Sequence, residues 1–178
     1  MPKFKLLLWF CFFTLLIFFS GKEGIGIEVE DEVFGFNSVY SLGGSSRVEK
    51  EVALTFDDAP STFTGEVLEI LANYEVSATF FLVGSQVEKY PQIARQIVAA
   101  GHEIGNHSFS HCWSQDDTVE VLVEDIERAE KVIYQVTGQI PLYFRPPGGM
   151  VNEVVKEACG RTGYSIVLWW VDSRDWLL

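Results

Sequence analysis

Between residues 52 and 171, short apolar runs alternate with longer amphipathic stretches, and that alternation limits the fold more than any other feature of the chain. Residues 52–56, 78–83, 103–106, 142–144 and 165–171 have the length and the β-branched or aromatic content of strands. Between them, Val67, Ile70, Leu71 and Tyr74 recur at helical spacing behind Thr62 or Thr64 as N-caps. Pro91 opens a second helix with Ile93, Ile97 and Ala100 on one face, closed by Gly101. Leu122, Ile126, Ala129, Ile133 and Val136 mark a long amphipathic helix with Gly138 past its end. Residues 151–162 read as a last helix, with Gly163 after it. Strands alternating with helices imply an α/β fold with parallel strands and right-handed crossovers.

The start of the chain reads differently. Lys3 and Lys5 precede residues 6–19, an apolar run broken only by Thr14. This is the pattern of a signal peptide or signal anchor over residues 1–26, cleaved or retained, and it predicts export with the rest of the chain outside the membrane. As a helix the run would span roughly 21 Å against a hydrocarbon core of ~30 Å. Residues 27–50, with Glu28, Glu30, Asp31, Glu32 and a Gly/Ser stretch at 41–46, read as a tether. Val29, Val33, Phe34 and Phe36 could add a short strand there. Residues 51–178 form the domain. A net charge of −12 excludes a nucleic-acid binder, which needs a basic footprint. Cys11, Cys112 and Cys159 are too few and too far apart for a disulfide scaffold.

Polar clusters follow four of the five strands: Asp57-Asp58, residues 107–111, residues 145–149 and residues 172–176. In a parallel barrel such loops share one face, where chemistry is done. His107 and His111, four apart, can reach one metal from a helical turn. Adjacent carboxylates repel, so Asp57-Asp58 invites a cation. Two imidazoles and one carboxylate make a three-ligand site with open positions, the form of a catalytic metal, and leave the other carboxylate free as a base.

Thr55-Phe56-Asp57-Asp58, Asn106-His107-Ser108-Phe109-Ser110-His111, Phe144-Arg145-Pro146-Pro147-Gly148 and Asp172-Ser173-Arg174-Asp175-Trp176 together resemble the polysaccharide deacetylases of the NodB-homology family, carbohydrate esterase family 4. The resemblance implies a distorted (β/α) barrel and metal-dependent removal of N-acetyl groups from a GlcNAc-containing extracytoplasmic polysaccharide, peptidoglycan or chitin-like. It implies Asp58, His107 and His111 as ligands of one divalent ion, zinc first and cobalt or another divalent ion after it. Asp57 becomes the general base and Arg145 its holder. The Gly148 N–H becomes an oxyanion donor, Trp176 a wall of the sugar groove, and Asp175 the partner of a histidine in a later motif. The implied partners are the glycan and, through an uncleaved N-terminus, the membrane.

Three positions depart from the family pattern. Ala59 stands where Gly is common, which implies strain if φ there is positive. Cys112 replaces a common Pro after His111 and reads as a small, partly buried residue. The family's final Leu-x-His, source of the general acid, has no counterpart in these residues, and five strands are counted where the family has seven. The expectation is therefore an incomplete barrel, truncated before its last motif and of doubtful activity. The alternative is a catalytically dead, membrane-tethered glycan-binding protein or a truncated remnant. The unassigned histidine, His102, lies along the strand about 16 Å from His107, at the opposite end of the barrel.

Overall fold

The computed structural model describes residues 39–40, 52–112 and 116–177. The chain divides into two units, Met1–Asp31 and Glu32–Leu178, and every described residue belongs to the second. The apolar run at 6–19 lies outside the described residues. Among those described, no helix is long and apolar enough to cross a membrane.

The expected α/β order is present. In chain order come β1 (Val39–Tyr40), β2 (Thr55–Ala59), α1 (Thr64–Asn73), β3 (Thr79–Leu82), α2 (Gly84–Lys89), α3 (Pro91–Ala99) and β4 (Glu103–Asn106). Then follow α4 (Val119–Thr137), β5 (Tyr143–Phe144), α5 (Glu153–Thr162) and β6 (Ser165–Val167), with 3₁₀ turns at Pro147–Gly149 and Asp175–Leu177. Among the described residues six strands form one parallel sheet in the order β1-β6-β5-β4-β3-β2. Parallel strands place the loops at their C-terminal ends on one edge, so the ends of β2, β4 and β5 bring Asp58, His107 and Arg145 together.

Several details differ from the sequence reading. A sixth strand, β1, pairs Val39 with Ile166 and Tyr40 with Val167, inside the stretch expected as a tether. It covers the edge that β6 would otherwise expose. The fifth expected strand ends at Val167 rather than Val171, because the Val167 and Leu168 carbonyls turn to Arg145 instead of a strand. Thr64 opens α1, and its hydroxyl accepts from the Ser61 N–H rather than capping the helix from outside. The helix α2 was not anticipated. It begins where Gly84 meets Phe109 and Ala129, so closely that a Cβ there would lie 2.6 Å from the Phe109 ring. Only glycine lets that helix start so close to the loop of the two histidines.

The long helix α4 joins the two halves of the core. Ala129, Val132 and Ile133 pack with Phe80, Leu82, Val87 and Ile97, while Leu122 and Ile126 pack with Phe144, Val155, Tyr164 and Ile166. Its ends follow the expected chemistry: the Thr118 hydroxyl accepts from the Val121 N–H, and Gly138 turns left-handed at φ 74°. Asn152 and Gly163 close α5 in the same manner.

Candidate active site

β2 supplies the acids. Phe56 pairs with Phe80 but Ala59 with Leu82, so β2 spends one residue more than β3 over the same stretch. Asp57 and Asp58 therefore lie within a bulge in the strand, not after it, and the bulge re-aims both carboxylates. The positive φ belongs to Asp58, at 58°, while Ala59 is outside the left-handed region, so the strain expected at Ala59 is not there.

Asp58 Oδ1 lies 2.9 Å from His111 Nε2 and 3.7 Å from His107 Nε2, and the two imidazole centroids are 5.0 Å apart. One donor atom from each of the three lies within 4.8 Å of the others. The two histidines do not share a helical turn, as the spacing suggested. His107 directly follows β4, and the chain reverses through Ser108 and His111, both at positive φ (67° and 56°). His107 Nδ1 is 2.6 Å from the Arg145 carbonyl, which can only accept, so Nδ1 carries the proton and Nε2 presents its lone pair toward Asp58. Burial pushes the His107 imidazole below its ordinary value, against the pull of Asp57 and of its hydrogen bond to Arg145. A neutral imidazole oriented through its second nitrogen, a partner imidazole and an exposed carboxylate fit a divalent cation.

Beside this trio stands Asp57, whose Oδ1 accepts from Arg145 Nη1 at 2.6 Å. Arg145 is 2% exposed and its guanidinium makes four hydrogen bonds. Nη1 also donates to Thr55 Oγ1, Nε to the Val167 carbonyl and Nη2 to the Leu168 carbonyl, while the guanidinium stacks 3.9 Å from the Phe81 ring. One side chain thus ties β5 to β2 and β6 and fixes Asp57. Gly148 is exposed at φ 67°, with open space where a Cβ would stand.

The last cluster is less integrated. Asp175 is exposed and accepts from the Ser173 hydroxyl, and Trp176 lies in the 3₁₀ turn with its side chain outside the described residues. Sequence reasoning missed Trp169, which packs against Gly149 and lies 5.5 Å from the Arg145 guanidinium. It also missed the buried Asn106, whose Nδ2 donates to the Ile126 carbonyl and to the Tyr164 hydroxyl. Burial first, and Glu130 in addition, hold the Tyr164 phenol above its ordinary value, so it remains a neutral donor to Glu130. Cys112 is exposed, not partly buried, and like Cys159 is a free thiol. His102 is buried at the far end of β4, where its Nδ1 accepts from the Ala78 N–H.

Residues 44–167 match the polysaccharide deacetylase family. A peptidoglycan-N-acetylglucosamine deacetylase of Bacillus cereus is 42% identical over 131 residues, 72% of this chain and 61% of the relative. Among solved structures, the Bc1960 peptidoglycan N-acetylglucosamine deacetylase superposes with a TM-score of 0.68 at 38% identity, over 71% of this chain and 60% of its own. Wild-type BA3943 from Bacillus anthracis, a family 4 pseudoenzyme, superposes at 0.66 with 30% identity, over 70% of this chain and 45% of its own. The chain thus spans about three fifths of the Bacillus cereus relative. With its four motifs in order on a shared distorted-barrel fold, it belongs to the polysaccharide deacetylases of carbohydrate esterase family 4.

Proposed function

We propose that this chain is a metal-dependent deacetylase of an N-acetylated, GlcNAc-containing polysaccharide outside the cytoplasm, with peptidoglycan ahead of a chitin-like polymer. The observation that carries this reading is the convergence of Asp58, His107 and His111 beside an Asp57 clamped by Arg145. A divalent ion held there would supply Lewis acidity for the amide carbonyl and the attacking water. Asp57 takes the proton of that water, and the guanidinium beside it keeps it aimed. The Gly148 N–H, on an exposed turn beside the site, is assigned to the developing oxyanion. Asp175 is assigned to second-sphere support and Trp176 to the sugar groove.

Loaded with zinc after chelator treatment, the chain is expected to bind about one ion and to release acetate from a chito-oligomer, both lost in a His107→Ala, His111→Ala double variant. Stoichiometry unchanged in the double variant would overturn the ligand assignment. Location is tested apart from chemistry. Lys3 and Lys5 ahead of the apolar run support a domain outside the membrane, so a fluorescent protein that matures only in the cytoplasm, fused after Leu178, is expected to stay dark. A bright fusion would refute export.

A further inference from the structure

The loop that carries both histidines satisfies its backbone in an unusual way. Five consecutive amides, from Ser108 to Cys112, donate to side chains. Three of those acceptors are local: Asn106 Oδ1 for Ser108, Ser108 Oγ for His111 and Ser110 Oγ for Cys112. The other two amides, Phe109 and Ser110, donate to the two oxygens of a single carboxylate, Asp125 on α4, at 2.9 and 3.1 Å. On the opposite side of the loop, the carbonyls of Ser108 and Phe109 accept from the Gly84 and Ser85 N–H groups at the start of α2. Arg128, one turn along α4 from Asp125, stacks 3.5 Å over the Phe109 ring.

From this geometry we infer that Asp125 is a positioning residue for the metal centre: its carboxylate sets the spacing of His107 and His111 by clamping the two amides midway between them. The inference rests on the ligand assignment proposed above. Two non-glycine residues of this loop hold left-handed backbone, which costs free energy and persists only where the surroundings over-determine it. A carboxylate accepting two N–H groups is a charge-assisted clamp of that kind. The long-range side-chain acceptor for the loop amides is Asp125, and it stands on α4, which contributes to both halves of the core.

The test compares zinc affinity, by competition with a chromophoric chelator, in the parent chain, Asp125→Ala, Asp125→Asn and the exposed control Glu127→Ala. Outer-sphere partners of metal ligands typically contribute ~10–100-fold in affinity, and a loss of that size is expected for Asp125→Ala. It should come with a changed visible spectrum of the cobalt-substituted protein, a signature that a purely structural role would not move. Asp125→Asn keeps one acceptor oxygen and is expected to fall between, carrying the test if the alanine variant does not fold. Glu127→Ala should match the parent. Zinc affinity within about twofold of the parent in the folded Asp125 variants, with an unchanged cobalt spectrum, overturns the inference alone. A parent chain that binds no zinc overturns it together with the ligand assignment.

Discussion

Replacing Arg145 with Met is expected to destabilise the domain by about 3–5 kcal/mol, because four acceptors lose their shared donor at once. Asp57 accounts for the smaller part, because its side chain is 29% exposed and water can replace the guanidinium there. The larger part comes from the Val167 and Leu168 carbonyls and the Thr55 hydroxyl, which would lose their shared donor where β6 leaves the sheet. Groups left unsatisfied in this way typically cost ~1–3 kcal/mol each when buried, and partial hydration here lowers that figure. Arg145→Lys should recover little, since one ammonium cannot span acceptors on β2 and β6 at once. Asp57→Asn is the contrasting variant. It leaves Arg145 its three other acceptors, so its stability should stay within about 1 kcal/mol of the parent while the base is lost. Urea unfolding of the three variants reads the difference directly. An Arg145→Met midpoint and slope matching those of Asp57→Asn would show that the guanidinium serves the base alone and holds no strands together.

How far such contacts could be read from the chain depends on their range. The runs at 78–83 and 103–106 announced themselves by composition, and α4 by an apolar repeat from Leu122 to Val136 with Gly138 past its end. Asp57, Asp58, His107 and Arg145 came with them, because each stands in the last residues of a strand or directly after it. The bulge at Asp57-Asp58 was invisible, since an extra residue shows only against the register of β3. α2 is six residues long, too short to display a period, and what fixes it is Gly84 packing under Phe109. β1 is two residues long and exists through its pairing with β6, more than a hundred positions away. Asp125 and Trp169 belong to the same class. Each acts on the site through a contact spanning between about fifteen and twenty-five positions, and neither stands in a motif.

The 178-residue chain, loaded with zinc, is expected to separate two acetylated substrates by whether the leaving group must be protonated. An aryl acetate such as p-nitrophenyl acetate expels a stabilised phenolate and needs no proton at the leaving oxygen. An N-acetylglucosamine oligomer expels an amine, which must be protonated as it departs. For attack, the Asp58–His107–His111 trio and Asp57 are assembled, so the ester should turn over, and Asp57→Asn should abolish that turnover. For departure, no imidazole is left to serve: His107 and His111 are the assigned ligands, and His102 is buried at the far end of β4 with its Nδ1 engaged. Asp175, which in the family pattern would orient such a histidine, accepts from Ser173. A positioned general acid typically contributes ~10²–10⁴-fold, so the rate enhancement on the amide should fall below that on the ester by this factor. Added imidazolium, a diffusible proton donor, should raise amide turnover above that of a blank without the chain. Equal enhancement on both substrates without added imidazole would mean that Asp57 returns to the amine the proton it took from water, and that these residues carry both halves of the reaction.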